Sequence, residues 1–265
     1  MADHQTQHLT NLQTDEHRRQ LAYLIRGLHS DILLPDSTEQ RWLLLRALMN
    51  IRVPGPVDPE WVSVQDQVLQ RETNTKGITE IGELEPTHAG MYLWKGDITT
   101  LRVDAIVNAA NSALLGCFHP LHRCIDNAIH TYAGIQLREE CATLMRRQGH
   151  PEPTGQAKIT MGYNLPAKHV IHTVGPIIGG TVTERDCEQL ASCYQSCLQL
   201  ANQQNLKTMA FCCISTGEFR FPKEQAAKIA VRTVAEYRRH RPAAPAVIFN
   251  VFTDDDLRTY EATLG

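Results

Sequence analysis

No stretch of this 265-residue chain approaches the ~20 consecutive apolar residues that cross a bilayer, so no membrane-spanning helix is expected. Neither sign of charge is in large excess: 26 Lys and Arg stand against 29 Asp and Glu, a net −3. No broad attraction to nucleic acid or to an anionic membrane follows from that balance. The opening residues MADHQTQHLTNLQTDEHRRQ lack the apolar core of a signal peptide, so the cytoplasm is the expected location. Internal repeats and low-complexity segments are missing too. What is present is 42% hydrophobic residues, enough for one large domain or one domain with an appendage. Eight cysteines are present as well. In a long chain without an export signal they are expected to be reduced. Cys193 and Cys197 lie four apart on a predicted helix. Cys212 and Cys213 are adjacent in a predicted strand and so point to opposite faces. All four are expected to pack in the core.

The chain divides by pattern. Residues 1–90 read as a helical N-terminal extension. Leu21, Ile25 and Leu28 recur at helical spacing, and a second amphipathic helix follows a turn, with Ser37 and Gln40 fitting a capping box at its start. Pro54, Pro56 and Pro59 break the regularity, WVSVQDQVLQRE adds a third short helix, and TNTKGITEIGELEP is a polar connector. This part shows no catalytic constellation and reads as a packing cap or partner surface. From 91 to 265, apolar strands alternate with helices. MYLWKGDIT, VDAIVNAAN, KIT, KHVIHTVGP, TMAFCCIST and AVIFNVF are the strands; 123–147, 184–204, 223–240 and 254–263 are the helices. That alternation implies an α/β fold with a mainly parallel sheet covered on both faces. In such sheets ligands sit beyond the carboxyl ends of the strands. NAAN, HTVGP, ISTGEF and FTDDD all fall there.

One loop concentrates the chemistry. GCFHPLHRC offers Cys117, His122 and Cys124 as two thiolates and an imidazole, a donor set that suits Zn²⁺. Three ligands leave one tetrahedral position open, the arrangement of a catalytic metal; a closed structural site would take a fourth ligand, for which His119 and Cys141 are the candidates. The metal has two possible jobs, to polarise sugar hydroxyls or to acidify a bound water. Two thiolates neutralise the ion's formal charge, which favours the first. Asp126 follows the cluster and can orient water or take its proton, or else serve only the helix dipole. Asn108 and Asn111 close an apolar strand with carboxamides able to bond ribose hydroxyls. Ser215, Thr216, Gly217, Glu218 and Phe219 form a strand-to-helix turn whose N–H groups can cradle a diphosphate. It lacks the lysine of a P-loop, so ATP hydrolysis is not expected. His130 and His172 read as buried structural histidines.

GDIT at 96–99, VDAIVNAAN at 103–111, AKITMGYNLPAKHVIHTVGP at 157–176 and ISTGEFRFP at 214–222 together resemble a macrodomain of the MacroD type. The resemblance covers roughly 91–263. The GCFHPLHRC insertion and the helical extension are similar to the zinc-containing (Zn-Macro) subfamily. The resemblance implies a three-layer α/β/α macrodomain with one Zn²⁺ per chain. It implies a protein mono-ADP-ribosyl hydrolase that acts on Asp/Glu-linked ADP-ribose and releases ADP-ribose. Association with a sirtuin-type transferase and a lipoyl-carrier protein is also implied. CIDNAIHTYAG aligns with the family's D-G-A-I-H-R-A-A-G, which gives Asp126 a catalytic role; Asn127 replaces its glycine. By the same resemblance Asp97 and the Ile98 backbone bind adenine, and Asn111 contacts the distal ribose, with Asn108 structural. Phe219 packs on that ribose and Phe252 stacks near adenine. Glu218 stands where the family is usually aliphatic, so it points away from the phosphates or faces the metal. A non-catalytic ADP-ribose reader and an O-acetyl-ADP-ribose deacetylase are the competing readings.

Overall fold

A parallel strand buried on both faces can be apolar along nearly its whole length, and the central strands of this chain use that. The computed structural model describes residues 2–87 and 91–265, with side chains from residue 14 onward. The expected division between 90 and 91 abuts residues 88–90, outside the described residues. In chain order the elements are α1 (Ala2–Leu28), α2 (Thr38–Ile51), α3 (Pro59–Lys76), β1 (Thr79–Glu80), β2 (Met91–Lys95), β3 (Leu101–Arg102), β4 (Ala105–Ala109), α4 (Ile125–Ala133) and α5 (Ile135–Gln148). Then come β5 (Ala157–Met161), β6 (His169–Thr173), α6 (Glu184–Gln203), β7 (Thr208–Phe211), α7 (Lys223–Arg239), β8 (Ala246–Val251) and α8 (Asp254–Leu264).

Six strands form one sheet in the order β2-β8-β7-β4-β6-β5. The first five run parallel and β5 pairs antiparallel with β6 at the edge. All five parallel strands therefore end at one rim, where Asp97, Asn111, Gly175, Cys212 and Phe252 follow them. Ile106, Val107, Val170, Ile171, Met209, Val247 and Ile248 are fully buried at its centre. Capping boxes start α6, through Thr183 and Asp186, and α8, through Thr253 and Asp256. Ser37 caps α2 by accepting from the Gln40 N–H at 3.1 Å. Cys193 and Cys197 are buried on α6 as expected.

Helices α1–α3 enclose a second, smaller cluster of Leu21, Leu24, Ile25, Leu45, Trp61, Val68 and Leu69, joined by Ile135 of α5. Trp61 donates its indole N–H to the Leu24 carbonyl at 3.0 Å.

Three expectations need correcting. The single helix over 123–147 is two, because Gly134 at φ +94 turns the chain between them. A Cβ there would lie 2.6 Å from Gln136 Oε1 and 2.7 Å from Gln65 Nε2. The strand through TMAFCCIST stops at Phe211, so Cys212 and Cys213 sit in the following loop, still packed against the core. The connector after WVSVQDQVLQRE is partly ordered structure: α3 continues to Lys76, and 79–80 pairs in parallel with 101–102.

Candidate active site

The loop between β4 and α4 brings Cys117, His122 and Cys124 together, their ligand atoms all within 4.8 Å of one another. Cys117 Sγ lies 3.5 Å from His122 Nδ1. Two features shape the loop. Gly116 takes φ +79, and a Cβ there would meet the His130 ring at 2.8 Å. Cys124 is the N-cap of α4, its sulfur accepting from the Asn127 N–H at 3.4 Å. Burial pushes the Cys124 thiol up to about 12, over that opposing N–H bond. Two neighbouring thiols and an imidazole nitrogen, half-buried, fit a divalent soft cation, whose charge would let the thiols ionise. Neither candidate fourth ligand joins them among the described residues. Cys141 belongs to a separate buried group with His130 and His172. His119 keeps its ring 5.9 Å from that of His122, centroid to centroid. Glu218 Oε1 lies 3.5 Å from His122 Nε2, so it faces the cysteine–histidine cluster. A carboxylate there holds the ring with Nδ1 toward the sulfurs.

Asp126 lies in the first turn of α4 and is 5% exposed. Its Oδ1 accepts from Asn108 Nδ2 at 2.7 Å and its Oδ2 from Asn111 Nδ2 at 3.4 Å. Burial raises its pKa to about 6, against the Asn108 bond and the Arg138 charge. A carboxylate poised there is ionised at neutral pH yet basic enough to take a proton. Asn108 is fully buried and bonds two side chains, Asp126 and His172 (3.2 Å to Nδ1). Asn111 also braces the loop: Nδ2 donates to the Gly116 carbonyl at 3.0 Å and Oδ1 accepts from the Ala113 N–H at 3.0 Å.

At the other end of the rim, Asp97 caps the short 3-10 turn Ile98–Thr100, and Ile98 is buried. Its Oδ1 accepts from the Thr99 N–H and hydroxyl, and its Oδ2 from Lys76 Nζ at 2.7 Å. Burial works to raise this carboxyl, but the Lys76 and Thr99 bonds outweigh it and hold the group below its ordinary range. Lys76 also sits 3.3 Å over the Tyr132 ring. Phe252 is 74% exposed beside this corner, where the Gly96 N–H bonds the Val251 carbonyl at 3.0 Å.

Between the two ends runs the 212–222 loop. Ser215 is buried at φ +65, and a Cβ on Gly217 would meet nothing within 4 Å. Thr216 Oγ1 donates to the Cys213 carbonyl at 3.1 Å, and half-buried Phe219 accepts through its carbonyl from the Ile178 N–H at 2.8 Å. The turn does not lead straight into a helix, because α7 begins at Lys223. An anion here would meet loop N–H groups, not a helix dipole.

Lys76, bonded to Asp97, is a residue at this rim that sequence reasoning missed; it comes from the helical extension, and no local pattern marks it.

Comparison with known proteins matches the Macro domain over residues 107–230. A protein-ADP-ribose hydrolase of Treponema medium is 49% identical over 251 residues, covering 92% of this chain and 96% of that protein. One from Staphylococcus aureus strain MSSA476 is also 49% identical, over 92% of this chain and 94% of its own. These alignments are too long for the sheet-bearing part alone and run into the helical extension. Among solved structures, the Trypanosoma brucei macrodomain in complex with ADP-ribose superposes with a TM-score of 0.65 at 29% identity, over 88% of this chain and 97% of that one. An Oceanobacillus iheyensis macrodomain mutant with ADPR gives 0.62 at 34% identity, over 68% and 96%. The parallel sheet, its loaded rim and these likenesses agree: the chain belongs to the macrodomain family and is a hydrolase.

Proposed function

We propose that this protein removes mono-ADP-ribose from modified proteins, cleaving its bond to an Asp or Glu side chain, with zinc held by Cys117, His122 and Cys124. The observation that carries this is the meeting, after β4, of three soft ligands with a buried carboxylate, Asp126, whose pKa is raised to about 6. When bound, the ion supplies a Lewis acid that polarises an oxygen of the distal ribose. Asp97 and the Ile98 backbone take the adenine, with Phe252 against it. Ser215, Thr216 and Gly217 take the diphosphate, and Glu218 orients His122. Phe219 and Asn111 border the distal ribose. Asp126 orients a water and accepts its proton as the water oxygen bonds the anomeric carbon and the carboxylate leaves. The products are ADP-ribose and the free Asp or Glu.

A bare reader of ADP-ribose needs no thiolate cluster and no raised carboxyl beside the sugar, which disfavours that alternative. Deacetylation of O-acetyl-ADP-ribose would use the same groups and belongs in the same assay. The lipoyl-carrier substrate and sirtuin-type partner rest on the family resemblance. No described helix is long and apolar enough to cross a membrane.

The test combines metal analysis with hydrolysis of Asp/Glu-, Ser- and Arg-linked ADP-ribosyl proteins and of O-acetyl-ADP-ribose. We expect one zinc per chain and release from the Asp/Glu linkage. Full turnover by verified metal-free protein would overturn the zinc dependence. Tight ADP-ribose binding without release from any substrate would replace the hydrolase with a reader.

A further inference from the structure

Helix α2 grips the loop that carries the three ligands. Leu121 stands at φ +58, in the left-handed region that residues with a side chain seldom adopt. It is 39% exposed, so packing does not impose that conformation. Its N–H instead donates to Asn50 Oδ1 at 3.0 Å, from 71 residues upstream. Asn50 is 1% exposed and locked, its Nδ2 donating to Thr131 Oγ1 at 3.0 Å. One turn earlier on α2, Arg46 Nη2 donates to the His122 carbonyl at 3.3 Å and to Asn127 Oδ1 at 3.1 Å. Asn127, fully buried on α4, passes the grip on: its Nδ2 donates to the His119 carbonyl at 3.0 Å and the Cys117 carbonyl at 3.5 Å. The loop backbone at 117, 119, 121 and 122 thus ends on side chains of α2 and α4.

A packing cap would meet this loop with apolar groups. Helix α2 commits an amide and a guanidinium to its backbone instead. A strained turn persists only when its surroundings over-determine it. A metal site binds tightly only when its ligands are oriented by partners of their own. We propose that Asn50 and Arg46 are positioning residues of the metal site: the N-terminal helices hold His122 and Cys117 in ligand geometry before the ion arrives. This rests on the zinc reading above and extends the site into a part of the chain that the sequence marks as a cap.

The experiment is zinc titration of the full chain against a competing chelating dye, with Arg46→Met, Asn50→Ala and, as control, Leu45→Ala. Leu45 is buried in the apolar cluster of α1–α3 and Ile135, away from the ligand loop's hydrogen bonds. Arg46→Met and Asn50→Ala are each expected to weaken zinc binding by about 10- to 100-fold. Leu45→Ala should lower stability while leaving zinc affinity within about two-fold. In the metal-free protein, Asn50→Ala should also speed amide exchange at Leu121. Should Asn50→Ala not fold, Arg46→Met decides alone. Wild-type zinc affinity in Arg46→Met and Asn50→Ala would overturn the inference. So would an equal loss in Leu45→Ala, which would mean general loosening. A wild-type chain that binds no zinc would fail at the earlier step, sinking the metal reading itself.

Discussion

Two groups of cysteine and histidine, each close enough to share an ion, lie in the same part of this molecule, and they differ in burial and in partners. Cys117, His122 and Cys124 sit half-buried on a loop, with their sulfur and ring-nitrogen atoms within 4.8 Å of one another. His130, Cys141 and His172 are buried behind Asp126 on two helices and a strand. In the buried group, His172 is already spent: Asn108 donates to its Nδ1, and Thr160 Oγ1 lies 3.0 Å from Nε2. Burial alone lowers its pKa to about 3. Burial, reinforced by His172 and Arg138, keeps His130 well below its ordinary value. Burial also pushes the Cys141 thiol up, out of reach of ionisation. What separates the two trios is access: the loop trio is half-buried, while the other lies fully buried with His172 held by Asn108 and Thr160.

The largest effect that sharpens this contrast comes from paired substitutions. Cys117→Ala should cut hydrolysis by about 100-fold or more, with the unfolding midpoint of the metal-free protein nearly unchanged. Cys141→Ala should do the reverse, costing about 1–2 kcal/mol of stability and leaving turnover within a few-fold. Assay and denaturant titration of both variants decide it; a Cys141→Ala enzyme that is stable but inactive would merge the two groups into one site.

Acid provides the next test. His172 ordinarily titrates at 6.5 and in the fold only at about 3. Between those values the unfolded chain protonates this imidazole and the folded chain refuses, so the contribution of His172 to stability falls as pH drops from 6.5 toward 3. His130 adds to that fall, and Asp126, raised to about 6, opposes it below that pH. The loss should be on the order of a few kcal/mol, and His172→Gln should flatten it. An unchanged pH slope in that variant would show that the buried group does not titrate as a structural pair.

The smallest effects separate the partners of the two groups. Glu218 is exposed, so Glu218→Gln should weaken zinc binding by less than about five-fold. Thr160→Val, at the buried partner of His172, should destabilise by about 1–2 kcal/mol without touching zinc affinity. Dye competition and thermal unfolding on the two variants would expose any crossover.

These differences follow distance along the chain. The ligand trio was legible because its members are neighbours in sequence, and the alternating apolar strands made the parallel sheet and its rim legible too. The break at Gly134 carried a signal, a glycine inside a helical pattern, that the surrounding apolar periodicity outweighed. Glu218 was ambiguous from sequence because its partner is His122, far away in the chain. Asn50, Arg46 and Lys76 left no trace at all. Each reads as an ordinary polar residue on an amphipathic helix until the fold sets it against Leu121, His122 or Asp97.

The short parallel pairing of 79–80 with 101–102 bears on anyone who wants a smaller reagent. It ties the end of the helical layer to the segment just past Asp97, and Lys76 binds Asp97 itself. A fragment beginning at Met91 would keep every strand of the main sheet. It would also uncover Ile135, strand the Asp97 carboxylate and release the Leu121 turn. For this protein, trimming to the part that carries the recognisable motifs removes the supports at both ends of the sheet rim.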